Sequence, residues 1–381
     1  MNVDVTADPT LIKASNRGVT MRMRRILSAG ACFLISAQAF GQNPVAPTGK
    51  HLPESEKQIS VLTFGSDLTN KPKPILASIA EERPDLFVLL GDAVFSDETK
   101  QAPDLPGLRT AYQTLSNDPE FATFRASVPM VVTWDDHDYG SNDGGGDFIY
   151  KDVSQKMFDH FWGLEQRHEG HEGVYDAYTF GPPGQRIQII LLDTRYDRSP
   201  LTRLSVEKGD GRYKPSENPD QRMLSERQWQ WLAEVLRQPA DLRVVVSSIQ
   251  VLSDAHHWER WGNLPLQQEK LFRIIRDSHA DGVVLVSGDR VLGALYRKDS
   301  LLAYPVYELT TCSLNLPWKN LSGEDESPEM ASGQIGPMYP KPNYGEIRVD
   351  WTAQTITMAL KDEKGKAIRD QRIALGSLKA R

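Results

Sequence analysis

Five short apolar runs each deliver a carboxylate just past their ends. Phe64 leads into Gly65-Ser66-Asp67, Leu90 into Gly91-Asp92, and Thr133 into Trp134-Asp135-Asp136-His137-Asp138. Leu192 leads into Asp193-Thr194-Arg195, and Val286 into Ser287-Gly288-Asp289-Arg290. Carboxylates gathered without an equal number of cations repel one another and resist ionisation. A bound metal ion relieves that repulsion, and an oxygen-rich donor set suits hard cations such as Ca, Mg or Mn. The plainer reading makes each Asp a loop starter or a helix cap. For Asp193 the plainer reading is at least as good. For Asp92 and Asp136 it is not, because Trp-Asp-Asp-His-Asp is too dense in polar function for capping alone.

The runs that must position these acids are Ile59–Phe64, Leu86–Leu90, Met130–Thr133, Ile187–Leu192, Val244–Val246 and Val283–Val286. They are nearly continuous in Val, Ile and Leu, as strands covered on both faces should be. Helical periodicity falls between them at Ile75–Glu82, at Leu266–His279, and from a Ser225-Glu226-Arg227-Gln228 capping box to Pro239. Strands alternating with helices predict a layered α/β core. Open α/β sheets carry ligand sites at the carboxyl ends of their strands, so the acids are expected on one rim. The stretch from Asp67 to Asp92 leaves room for a helical crossover between parallel strands. Tyr344–Trp351, Thr355–Leu360 and Ile368–Leu375 alternate in the strand period and predict an antiparallel hairpin or meander. Ser322 to Asn343 reads as a long surface loop.

The chain has 381 residues and a formal net charge of −7. That acidity argues against a nucleic-acid-binding surface or an anionic membrane as the main partner. Met21-Arg22-Met23-Arg24-Arg25, the apolar stretch Ile26 to Ala37, and the small residues to Gly41 read as a secretory signal behind an upstream extension. The apolar stretch is too short to span a bilayer, so no transmembrane anchor is expected once the signal is removed. The expected organisation is therefore 1–41 extension and signal, 42–57 polar lead, and one catalytic-type domain over 58–376. Export to the periplasm or the extracellular space follows. Cys32 leaves with the signal, so Cys312 forms no intramolecular disulfide and reads as a small core residue.

Phe64-Gly65-Ser66, Leu90-Gly91-Asp92, Thr133-Trp134-Asp135-Asp136-His137-Asp138-Tyr139-Gly140 with Asn142-Asp143, Leu192-Asp193-Thr194-Arg195-Tyr196 and Ser287-Gly288-Asp289-Arg290 stand in one order. In that order the sequence resembles the PhoD-like branch of the calcineurin-type metallophosphoesterases. Val174–Tyr178, Ser247–Gln250 and Trp258–Asn263 fit the same family. The resemblance implies a four-layer αββα sandwich with a C-terminal β-hairpin and a metal centre at the strand ends. Asp67, Asp92, Asp136 and Asp289 would be the ligands of one or two divalent or trivalent ions per chain, with Ca, Fe, Mn and Mg all possible. A metal-activated water would attack the phosphorus of a small phosphomonoester or phosphodiester. His137, Asn142 and Arg290 would be catalytic, while Arg195 and His256 would contact substrate. For Arg195 a structural ion pair with a nearby Asp is the alternative, and for His256 a place in the core. The sequence departs from the family pattern at Asp67 (usually Cys), Ala93 (Asn), Phe95 (Tyr) and Val291 (His). The alternative function is therefore a catalytically impaired relative that binds phosphate or another ligand.

Overall fold

The computed structural model describes residues 43–96, 102–208, 211–317 and 331–380. The expected signal segment 1–41, with Cys32, and residues 322–330 of the expected loop 322–343 lie outside the described residues. Among the described residues no helix is long and apolar enough to cross a membrane.

All six apolar runs are strands. The first sheet holds β1 (Val61–Gly65), β2 (Leu86–Leu89) and β3 (Met130–Val132) as parallel neighbours. The second holds β4 (Asp176–Phe180), β5 (Ile187–Leu191), β8 (Leu242–Ser247), β9 (Val283–Ser287), β10 (Gly293–Lys298) and β11 (Val306–Thr311), in the order β10-β11-β9-β8-β5-β4. Between β5 and β8 a short hairpin forms from β6 (Arg203–Lys208) and β7 (Gly211–Tyr213). The tail returns to the first sheet as the meander β12 (Asn343–Asp350), β13 (Thr355–Asp362) and β14 (Ala367–Ala374), which gives the order β14-β13-β12-β1-β2-β3.

Alternation along β2 shows how the layers form. Leu86 and Val88 belong to the core that also takes Ile189, Val244 and Val284 of the second sheet. Phe87 and Leu89 point the other way, into a separate core with Ile79, Leu108 and Phe124. Those three come from α1 (Pro74–Glu81), α2 (Pro106–Ser116) and α3 (Pro119–Ser127). A one-turn α4 (Asp136–Tyr139) and then α5 (Lys151–Trp162) follow β3. The far face of the second sheet is covered by α6 (Glu226–Leu236) and α7 (Pro265–Asp277), whose Trp229, Leu232, Leu271 and Ile275 join its core. Helices, sheet, sheet and helices make the expected αββα order.

One local expectation is corrected. Ser225 Oγ accepts from Gln228 N at 3.1 Å, which is half of the capping box. The reciprocal half gives way because the Gln228 side chain is buried and clamps Asp193 instead. It accepts from Asp193 N at 3.0 Å and donates to Asp193 O at 3.1 Å.

Candidate metal centre

The three parallel strands of the first sheet end on Gly65, Leu89 and Val132, and the chain turns sharply after each. Asp67 and Asp92 take left-handed backbone angles, φ 59° and 53°, as does Asp289 after β9, φ 67°. Asp tolerates that region better than most residues, yet each such placement costs about 1–3 kcal/mol and persists where surrounding structure demands it. Val291, a β-branched residue at φ 52°, is a stronger outlier beside them. Gly91 is needed for a separate reason. At φ 111° its position brings the Asp135 backbone so close that a Cβ would lie 2.7 Å from Asp135 N.

These turns bring Asp92 and Asp289 together with acids from both sheets, whereas Asp67 stands in none of the donor groups and accepts from Ser66 Oγ and the Cys312 thiol instead. Ligand atoms of Asp92, Asp136 and His137 lie within 4.8 Å of one another, as do those of Asp135, Asp136 and Asp289, and of Asp136, Asp143 and Glu259. Asp136 belongs to all three groups. It is 3% exposed; Asp143 N donates to its Oδ2 at 2.7 Å, while its Oδ1 has no hydrogen-bond partner. Burial alone would raise its pKa, but His137, Arg195, the Asp143 N–H and Arg198 together hold it below the usual carboxylate value. An ionised, buried carboxylate oxygen without a partner is the electrostatic vacancy a cation fills.

The neighbouring acids lean the other way. Burial, followed by repulsion from Asp136, Asp135 and Asp67, pushes Asp92 well above the ordinary value. Asp289 is raised by burial and then by Asp135, Glu259 and Asp136. Burial lifts Asp67 to about 6, against hydrogen bonds from Cys312 and Ser66. Glu259 rises to about 7 and Asp138 to about 8, again mainly through burial. An acid whose folded pKa is raised adds stability that is complete below its unfolded pKa and is lost as pH rises through the folded one. The ion-free protein should therefore lose thermal stability between about pH 4 and pH 8. Adding Ca²⁺ or Mn²⁺ should raise the midpoint more at the alkaline end of that window. Melting curves with and without chelator check this, and an ion effect independent of pH would contradict it.

The other residues singled out from the sequence fall into place around this core. His137 donates its backbone N–H to Asp92 Oδ1 at 3.2 Å, and its ring lies on Phe95 with centroids 4.3 Å apart. Asn142 is exposed, one residue before Asp143, on a cleft of about 260 Å³ that Arg203 and Tyr213 also line. Arg290 is buried, with its guanidinium over the Trp258 ring at 6.0 Å. Arg195 is fully buried; its Nε donates to Asp135 at 2.5 Å and its Nη1 to Glu259 at 2.6 Å. Burial would lower its pKa, but Asp135, Glu259 and Asp136 outweigh that and keep it charged. This is the geometry of a structural ion pair. His256 is also turned inward. Its Nε2 pairs with Gln250 Oε1 at 2.8 Å and its Nδ1 accepts from Trp258 N at 3.1 Å, while burial, Arg290 and Arg260 keep it neutral.

Asp193 makes a turn: its Oδ1 accepts from Arg195 N and Tyr196 N, and its Oδ2 from Val174 N. Asp138 caps α4, accepting from the backbone of Asp135, Ala93 and Val94. Reading the residues alone missed Asp143 and Glu259, although both lie inside quoted motifs. Arg198 Nη2 holds Glu259 at 2.6 Å, and Tyr213 from the β6–β7 hairpin donates to Asp143 at 2.6 Å. Cys312 is buried as expected, but it does more than fill space: it follows β11 onto the same rim. Its thiol donates to Asp67 Oδ2, and Val291 N donates to its Sγ at 2.7 Å.

Residues 65–357 match the family of PhoD-like phosphatases. The chain belongs to that family. Alkaline phosphatase D of Bacillus subtilis (strain 168) is 23% identical over 254 residues, which are 55% of this chain and 42% of that protein's length. The match thus spans less than half of that relative. A solved PhoD structure superposes with a TM-score of 0.62 at 17% identity, covering 86% of this chain and 74% of that one, and shows the fold. A solved structure of GAP50, the anchor in the inner membrane complex of Plasmodium, covers 84% of this chain and 89% of its own at 13% identity. Its TM-score is 0.48. The donors of this PhoD-like chain are mostly carboxylate oxygens, which fit a hard cation: three groups, one of them including His137, share Asp136, whose spare oxygen is ionised and unpartnered.

Proposed function

We propose that this chain is an exported, metal-dependent phosphoester hydrolase that acts on a small phosphomonoester or phosphodiester. Asp67, Asp92, Asp136 and Asp289 would hold one or two ions, with Asp143, Glu259 and Asp135 completing the acidic surroundings. The observation that carries this reading is the ionised, unpartnered Oδ1 of Asp136 at the meeting point of three donor groups. When bound, such an ion supplies Lewis-acid polarisation of a phosphoryl oxygen and lowers the pKa of a water.

The chain's own residues do the rest. His137, whose backbone N–H is held by Asp92 and whose ring is braced by Phe95, would act at the leaving oxygen. Arg290 offers charge to the phosphoryl group from its seat on Trp258, and Asn142 a hydrogen bond from the exposed loop. A cavity of about 500 Å³ is lined by Leu68 and Thr69, which follow Asp67 in sequence, and by Ala93, Val94 and Phe95, which follow Asp92. It suits the organic part of the ester.

One feature favours a second reading. Ala93, Phe95 and Val291 offer no metal ligand, so a protein that holds phosphate without cleaving it also fits. The separating experiment is turnover of 4-nitrophenyl phosphate and bis(4-nitrophenyl) phosphate with Ca²⁺, Mn²⁺ or Fe added, together with elemental analysis of natively purified protein. Turnover that chelator abolishes is expected. Bound ion and saturable phosphate binding with no turnover under any of these ions would leave the binding-protein reading in its place. Export is checked separately, by fractionating cells that express the full chain.

A further inference from the structure

A second cavity, of about 530 Å³, opens between α5 and the turn that follows it. One face of α5 supplies Asp152, Gln155, Asp159 and His160 at helical spacing, and the turn supplies Glu165, His168 and His171. The turn is fixed in place. Gln155 accepts from Gly173 N at 2.9 Å and donates to Gly173 O at 3.1 Å and His171 O at 3.3 Å. Leu164 O accepts from His168 N at 3.0 Å, and His168 O from His171 N at 2.9 Å.

His168 is 4% exposed, and its Nδ1 pairs with Asp159 Oδ1 at 2.5 Å. The carboxylate can only accept, so a proton sits on Nδ1, and Nε2 is the ring nitrogen left to face a further partner. Buried against the cavity, that Nε2 has no partner. His171 Nδ1 is likewise buried without a partner; its ring is held on Tyr175 with centroids 4.5 Å apart and lies nearly parallel to the His168 ring, 5.8 Å away. A carboxylate that orients an imidazole and leaves its other nitrogen bare is the arrangement that supports metal ligation. Asp152, Asp159 and Glu165 outnumber Lys156 on the walls, so the field favours a cation. Imidazole nitrogens select first-row transition ions over Ca or Mg.

We propose that this cavity is a transition-metal site, separate from the carboxylate centre, with His168 Nε2 and His171 Nδ1 as ligands and Asp159 as the residue that orients His168. His160, paired with Glu165 at 3.0 Å, lines the same cavity.

The test is Zn²⁺ binding to the full chain by equilibrium dialysis in buffer saturated with Ca²⁺, which occupies oxygen-rich sites and leaves imidazole sites to zinc. One Zn²⁺ per chain is expected. His171→Ala, which leaves the Asp159–His168 pair intact, should lose it, and Asp159→Asn should weaken it about 10–100-fold. Asp136→Asn should bind that Zn²⁺ as the wild type does. With ¹⁵N-histidine-labelled wild-type protein, saturating Zn²⁺ should shift His168 Nε2 and His171 Nδ1. Zinc binding that survives His171→Ala but is lost in Asp136→Asn, or two imidazoles whose shifts do not move, would overturn the proposal.

Discussion

Asp136→Asn should lower turnover by on the order of 10²–10³-fold, the range seen when one charge-stabilising group is removed from a reacting centre. The substitution keeps the side-chain volume and can still accept from Asp143 N, so the loop from Asp136 to Asp143 should hold its shape. What disappears is the negative charge common to all three donor groups. The loss should be accompanied by fewer bound ions per chain, and it should not be recovered at saturating substrate, because the missing interaction is with the ion rather than with the ester. Steady-state kinetics beside elemental analysis reads both. A variant within tenfold of wild type, with its ion content unchanged, would remove Asp136 from the chemistry.

Arg195→Met should cost stability rather than substrate affinity. The guanidinium is the shared partner of Asp135 and Glu259, and all three groups are buried. Breaking a buried pair by removing one partner costs about 3–5 kcal/mol, because a charge is left behind without compensation. For a domain of this size that corresponds to a fall of roughly 4–8 °C in Tm. Adding Glu259→Gln to Arg195→Met should return part of the loss, since it neutralises one of the two abandoned carboxylates, and a double-mutant cycle measures the coupling. If Arg195 instead clamped the phosphoryl group, the single variant would raise KM and leave the melting curve where it was.

What the sequence discloses and what it hides divides along physical lines. β1, β2, β3, β5, β8 and β9 were legible because each is a near-continuous apolar run, the pattern that burial on both faces requires. β10 and β11 were not, because polar residues interrupt them. Glu308 sits in the middle of β11 yet is fully buried, and Ser287 together with the backbone of Val251 and Leu252 satisfies its carboxylate. With β11 unread, nothing could place Cys312 beside Asp67. The acids that follow readable strands could be expected on one rim. Asp143 and Glu259 could not, because irregular loops after α4 and after β8 place them. Arg195 was open to two readings because a buried ion pair and a phosphate clamp ask for the same residue type, and only the position of its partners separates them.

The order in which the first sheet is assembled has a consequence for biosynthesis. β1, β2 and β3 are made early, but β1 pairs on its other side with β12, which begins at Asn343. Until nearly the whole chain has left the ribosome, β1 has an open edge, and the indole of Trp351 has yet to reach Ile59 O, which it meets at 2.9 Å in the finished fold. Open strand edges on nascent chains invite pairing with other molecules, and contacts of such long sequence separation form slowly. A nascent chain that stalls before β12 should therefore aggregate through β1, and a chaperone that shields Val61–Gly65 during translation should raise the soluble yield.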